Sequence, residues 1–183
     1  MTKGSHVAAA EEVIDSRLGP GRFRSFALDE DLVLPPLVLP RSWHPAVGVA
    51  GVIRRAAAAL GVAQEALTQE IAAHNADSDL TSIYRVFLKL AAPRRVLANG
   101  NALWRTYINF GKVETVRNEP GDFAATLHEI PDDRLMPWIE GIWLGFVPRA
   151  VSLAGGHPLR SKTRRRYSPS AGRHAFEYEL TWR

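Results

Sequence analysis

The chain contains no cysteine. Disulfides, thiolate nucleophiles, Cys-ligated zinc and iron–sulfur clusters are thereby excluded. It also lacks a long apolar run: the longest, Met136 to Val151, carries Glu140, Arg149 and two prolines and is too short to span a bilayer. The first residues hold no apolar core of the kind a secretory leader needs, so a cytoplasmic protein without membrane insertion is expected. Neither sign of charge dominates. The 23 Lys and Arg against 19 Asp and Glu leave +4, a mild attraction to polyanions.

The catalytic signatures are absent as well. The histidines (His6, His44, His74, His128, His157 and His174) include no pair at the i, i+4 spacing of a helical metal site. Neither "GPGR" nor "AGGHP" fits a phosphate-binding loop, and there is no G-x-S-x-G elbow. No nucleophile, base and orienting group come together, so the expectation is a non-enzymatic protein with no cofactor and no metal.

What is present is ordinary globular material, with 46% apolar residues in a chain long enough for one sizeable core. Residues 1–24 are polar, Ala-rich and Gly/Pro-punctuated, with a short helix candidate around Ala8 to Leu18, and read as a mobile tail ahead of a single α+β domain over 25–183. The prolines at 35, 36, 40 and 45 predict an extended segment pinned across the surface by Leu34, Leu37 and Leu39. A helical part over 44–110 follows. Helices are predicted over Ala46–Leu60, closed by Gly61; over Val62–Ala73; over a stretch N-capped by Asp79 and ending before Pro93; and over Pro93–Asn109, closed by Gly111.

Over 111–183 the period changes to hairpin, helix, hairpin. The first hairpin turns at Asn118 to Asp122, with Phe123, Ala125 and Leu127 on one face of its second strand. The helix after Asp132 and Asp133 is apolar almost all round and stops at Gly155-Gly156, which marks it as deeply buried. Gly141 and Gly145, one turn apart, leave a groove for another backbone. In the last hairpin Phe176, Tyr178, Leu180 and Trp182 alternate with polar residues. Arg160, Lys162, Arg164 and Arg166 share the opposite face to Arg165, and the register sets Arg164 against Glu177 and Lys162 against Glu179. Arg165 is left on the inner side, needing an aromatic ring or a carboxylate.

The order helix-strand-strand-helix-strand-strand from Pro93, with "EGIWLGF" in the central helix and "FEYELTW" at the end, resembles the α/β fold of 4-vinyl-reductase sensor domains, haem-nitric-oxide-binding domains and TRAPP-type tethering subunits. More closely it resembles a myxobacterial paralogue family of similar length, over about Val49 to Trp182. The resemblance implies an antiparallel sheet with helices on one side, and a small-molecule pocket or a dimer surface between them. The haem-binding relatives ligate iron through a histidine on the helix before the first hairpin; Pro93–Asn109 has none. The zinc and lipid sites of the other relatives use cysteines. Neither haem nor zinc is therefore expected.

Two surfaces remain as candidate sites. Trp104, Tyr107, Trp138, Trp143 and Phe146, with Phe110, either pack the core or line an apolar cavity for a hydrophobic ligand. Arg160, Lys162, Arg164 and Arg166 form a surface for a protein partner or a polyanion. The expected function is a regulatory or adaptor domain working through protein–protein contacts, as a homodimer or with another protein, and sensing a small apolar ligand. The alternative is an accessory nucleic-acid-binding protein using the basic strand.

Overall fold

The computed structural model describes residues 1–82, 92–168 and 173–183. Its elements run β1 (Thr2–Lys3), α1 (Gly4–Leu18), α2 (Arg22–Asp29), β2 (Trp43–His44), α3 (Ala46–Leu60) and α4 (Gln64–Ser82). There follow α5 (Pro93–Ala98), α6 (Gly100–Tyr107), β3 (Lys112–Glu119), β4 (Asp122–Ile130), a 3-10 turn at Asp133–Leu135, α7 (Met136–Leu153), β5 (Pro158–Ser168) and β6 (Arg173–Trp182). It is a mixed fold, with an antiparallel sheet packed against helices. The four long strands lie in the order β3-β4-β6-β5, so β5 is an edge strand.

The sheet's inner face is the one the alternation marked: Phe123, Ala125, Leu127, Phe176, Tyr178 and Leu180 are all buried. Across the last hairpin Lys162 stands opposite Glu179 and Arg164 opposite Glu177. Arg165, on the inner side, finds carboxylates: its guanidinium donates to Glu140 on α7 at 2.9 and 2.5 Å and to Glu65 on α4 at 2.5 Å. Thr163, two residues earlier on the same face, donates to the other oxygen of Glu140 at 2.5 Å. One strand is thus tied to two helices by side chains that sequence distance separates by up to 100 residues.

Helix α7 runs through the middle of the molecule, between α4 and the sheet. The approach of α4 and α7 is set by two glycines. A Cβ on Gly141 would lie 2.4 Å from Cβ of Thr68 and 2.6 Å from the carbonyl oxygen of Glu65; one on Gly145 would lie 2.2 Å from the carbonyl oxygen of Gln69. The Gly-x-x-x-Gly groove therefore receives the α4 backbone.

Several expectations fail. Residues 1–24 are not a mobile tail: α1 buries Val7, Ala10, Val13 and Ile14, and Phe23 at the start of α2 is fully buried in the same core. Alanines in α1 allow close packing, so few large apolar residues suffice. The segment before β2 is pinned by Leu32 and Val38 with Leu34 partly buried, whereas Leu37 and Leu39 are 72% and 58% exposed. Helix α4 passes Asp79 without a break; the expected continuation, Ile83 to Ala91, lies outside the described residues. The helix from Pro93 is two pieces, parted at Asn99, whose φ of −92° and ψ of 15° leave helical geometry.

Candidate functional site

The largest apolar side chains of α6 and α7 do not close completely on one another. Between α4, α5, α6 and α7 and the edge of β4 they leave a cavity of about 80 Å³, almost wholly apolar in lining. Trp104, Tyr107, Trp143 and Phe146, four of the five aromatics expected there, line it. Trp138 does not. It is fully buried one turn before Ile142 on α7, where its indole N–H donates to Nε2 of His6 at 3.1 Å.

Trp104 is held by its own indole N–H, which donates to the carbonyl oxygen of Phe110 at 2.7 Å. That bond needs the chain to turn sharply at Gly111, whose φ of 74° is left-handed and favours glycine. Trp143 stacks obliquely against Trp104 at 6.0 Å and against Tyr178 at 5.2 Å, and Tyr107 meets Phe146 at 5.4 Å. These rings form a rigid wall. Trp143 differs from Trp104 in one respect: its buried indole nitrogen has no hydrogen-bond partner among the described residues. A buried donor without an acceptor costs about 1–3 kcal/mol, a cost that an acceptor brought by a ligand removes.

The polar lining comes from residues that local sequence did not single out: Thr2 of β1, His6 of α1 and Asn75 of α4, all buried. No sequence signal could have placed them, because β1 and α1 reach the site only through tertiary packing. Tyr107 is engaged by the Asp79 carboxyl, which Ser5 also contacts. Burial raises the Asp79 pKa, and the bonds from Tyr107 and Ser5 oppose that rise.

Burial lowers the His6 pKa from 6.5 to about 4, so the ring is neutral at pH 7. As pH falls from about 6.5 to 4 the unfolded chain takes up a proton that the native His6 does not, and stability is lost across that window. The loss from this group is about 3 kcal/mol. His6→Gln keeps an acceptor for the Trp138 N–H and does not titrate. Denaturant midpoints measured from pH 7 to 4.5 should therefore fall less steeply in His6→Gln than in the wild type.

No family model and no curated protein matches the sequence. Solved structures do. An oxygen-binding H-NOX domain related to soluble guanylate cyclases matches with a TM-score of 0.71 at 7% identity, over 99% of this chain and 95% of that one. The fold is the H-NOX fold. The Fe(II) unliganded H-NOX protein from K. algicida matches at 0.73 and 11% identity, covering 98% of this chain and 96% of its own. A protein described by the modulation of its haem redox potential through porphyrin distortion matches at 0.66 and 6% identity, covering 98% and 99%.

These neighbours correct one expectation. The absence of haem was inferred from a missing histidine on Pro93–Asn109, yet a structural neighbour over 98% of this chain is described by its haem redox potential. One helix is also too narrow a search, since the structure brings His6 to the cavity wall from α1, a segment expected to be a tail. The residues as packed do not fit a porphyrin. A cavity of about 80 Å³ is well below the roughly 300–1,000 Å³ of sites for larger ligands, and His6 Nε2 already accepts the Trp138 bond.

Elsewhere, the basic comb lies on the outer face of β5 and is exposed. Only Arg166 among its four members forms an ion pair within the described residues, to Glu177 at 2.7 Å. No group of three His, Cys, Asp or Glu side chains gathers for a metal among the described residues. No single helix there is long and apolar enough to cross a membrane.

Proposed function

We propose that this chain is a regulatory domain that senses a small apolar ligand held in the cavity between α6 and α7. The observation that carries the reading is an apolar cavity whose wall includes Trp143, whose buried indole N–H has no acceptor among the described residues. Such a site selects a compact, uncharged molecule of about one ring with a single hydrogen-bond acceptor. An apolar cavity of about 150 Å³ admits benzene or xenon, so a ring enters one of about 80 Å³ as the side chains of its wall move apart.

The H-NOX fold supports a sensing role by analogy of fold. The finer resemblance, to myxobacterial paralogues, adds no chemistry to it. Signalling onward would run through protein–protein contacts, since no catalytic set gathers at the cavity. Occupancy would be felt by α7, which lines the cavity along one face and reaches β5 through Glu140 on another.

Native mass spectrometry of the protein purified from its own cell tests the reading. A retained uncharged molecule of roughly 80–150 Da, lost when the protein is denatured, is the expected result. Stoichiometric retention of haem, with a Soret band, would replace the small-ligand reading with a haem one and require the cavity to open.

A further inference from the structure

The outer edge of β5 is the feature the cavity does not use. Its 11 residues pair with β6 on one side, and no strand among the described residues pairs with the other. An open edge of this length is a template for an added strand unless its side chains forbid one. Here they discriminate. Arg160, Lys162 and Arg164 project from alternate positions, all exposed, and none is in an ion pair with the described residues despite Glu177 and Glu179 across the hairpin. At the two ends stand exposed apolar residues, Leu159 at 62% and Tyr167 at 56%.

We propose that the β5 edge docks an extended acidic segment of another protein as a fifth strand of the sheet. Alternate residues of a strand lie about 6.6–6.8 Å apart on one face. Carboxylates at every second position of the incoming strand would fall opposite Arg160, Lys162 and Arg164, with apolar residues at its ends reaching Leu159 and Tyr167. The main chain of the added strand supplies both donors and acceptors to the edge, which is how strand addition gains affinity. A second copy of β5 is excluded by its own charge, because antiparallel pairing would set basic residues against basic ones. Nucleic acid is disfavoured: phosphates only accept hydrogen bonds, and Glu177 and Glu179 lie in the same face. This proposal does not depend on the cavity.

The test uses the full chain and a labelled peptide that spans 159–167 in length, with Glu at alternate internal positions and Leu at both ends, followed by fluorescence anisotropy. Saturable binding is expected, weakened about tenfold by Lys162→Glu/Arg164→Glu, in line with two reversed cross-strand pairs. Lys112→Glu, on the opposite edge of the sheet, should change it by less than about twofold. The same peptide N-methylated at alternate residues should lose binding, and β5 amides should gain hydrogen-exchange protection with the unmodified peptide. Equal binding of the N-methylated peptide would overturn strand addition. So would a single-stranded oligonucleotide that binds more tightly than the peptide and is weakened by the same double variant. Circular dichroism of the double variant, whose changes are at exposed positions, confirms that it is folded.

Discussion

Gly145→Val should lower the stability of the domain by about 3 kcal/mol, a fall in melting temperature of roughly 6–12 °C for a chain of this size. Helix propensity alone predicts the opposite sign, since glycine is the poorest helix former after proline, by up to about 1 kcal/mol. The geometry decides. A Cβ at Gly145 would sit 2.2 Å from the Gln69 carbonyl oxygen, and at Gly141 the obstacle includes the Glu65 carbonyl oxygen. Both are backbone atoms of α4, held by the helix's own hydrogen bonds, so α4 and α7 would have to part along their contact. Gly145→Ala should therefore also destabilise, by about 1–2 kcal/mol, despite its better propensity. Thermal melts and urea titrations of both variants check this; a Gly145→Ala protein more stable than the wild type would mean that the helices do not meet here. The same approach also shapes the cavity, because Ala72 and Asn75 of α4 line it together with α7.

The second large effect is on binding. Val147 lines the cavity from α7, and Val147→Phe carries a bulkier side chain into a space of about 80 Å³. Ligand affinity should fall by at least about tenfold, because the space the ligand needs is occupied. Stability should hold or rise by about 0.5–2 kcal/mol, the usual gain from filling a void. Loss of binding and retained stability together separate a filled site from a damaged fold. If Val147→Phe proves poorly folded, Leu103→Phe approaches the same space from α6 and carries the same expectation. Unchanged binding in a folded variant of either kind would place the ligand elsewhere.

How much of this was legible in the chain depends on how local each signal was. The last hairpin was readable almost residue by residue. Strict alternation fixed Arg164 opposite Glu177 and Lys162 opposite Glu179, and left Arg165 on the inner face needing an aromatic ring or a carboxylate, of which Glu140 and Glu65 supply the second. The groove at Gly141 and Gly145 was readable for the same reason: small residues one turn apart admit a backbone whichever helix provides it. The N-terminal region was misread because α1 has little to distinguish it from a polar tail. Val7, Val13, Ile14 and Leu18 are its large apolar residues, and its alanines bury themselves only once other helices are in place. Four of the five chosen aromatics do line the cavity, but His6 and Thr2 could not have been found. His6 meets Trp138 across 132 residues of sequence, a distance over which no periodicity speaks. The haem expectation was drawn from one helix, and it is the structural neighbours, not the local sequence, that overturn it.

The central claim is that an uncharged, single-ring molecule with one acceptor occupies the cavity beside Trp143. Isothermal titration of the wild-type protein with benzonitrile, with toluene as the acceptor-free comparison, tests it most directly. The account predicts one site per chain, a negative heat-capacity change from apolar burial, tighter binding of benzonitrile than of toluene, and loss of both in Val147→Phe. No saturable heat with either molecule, or equal binding by the wild type and Val147→Phe, would contradict it.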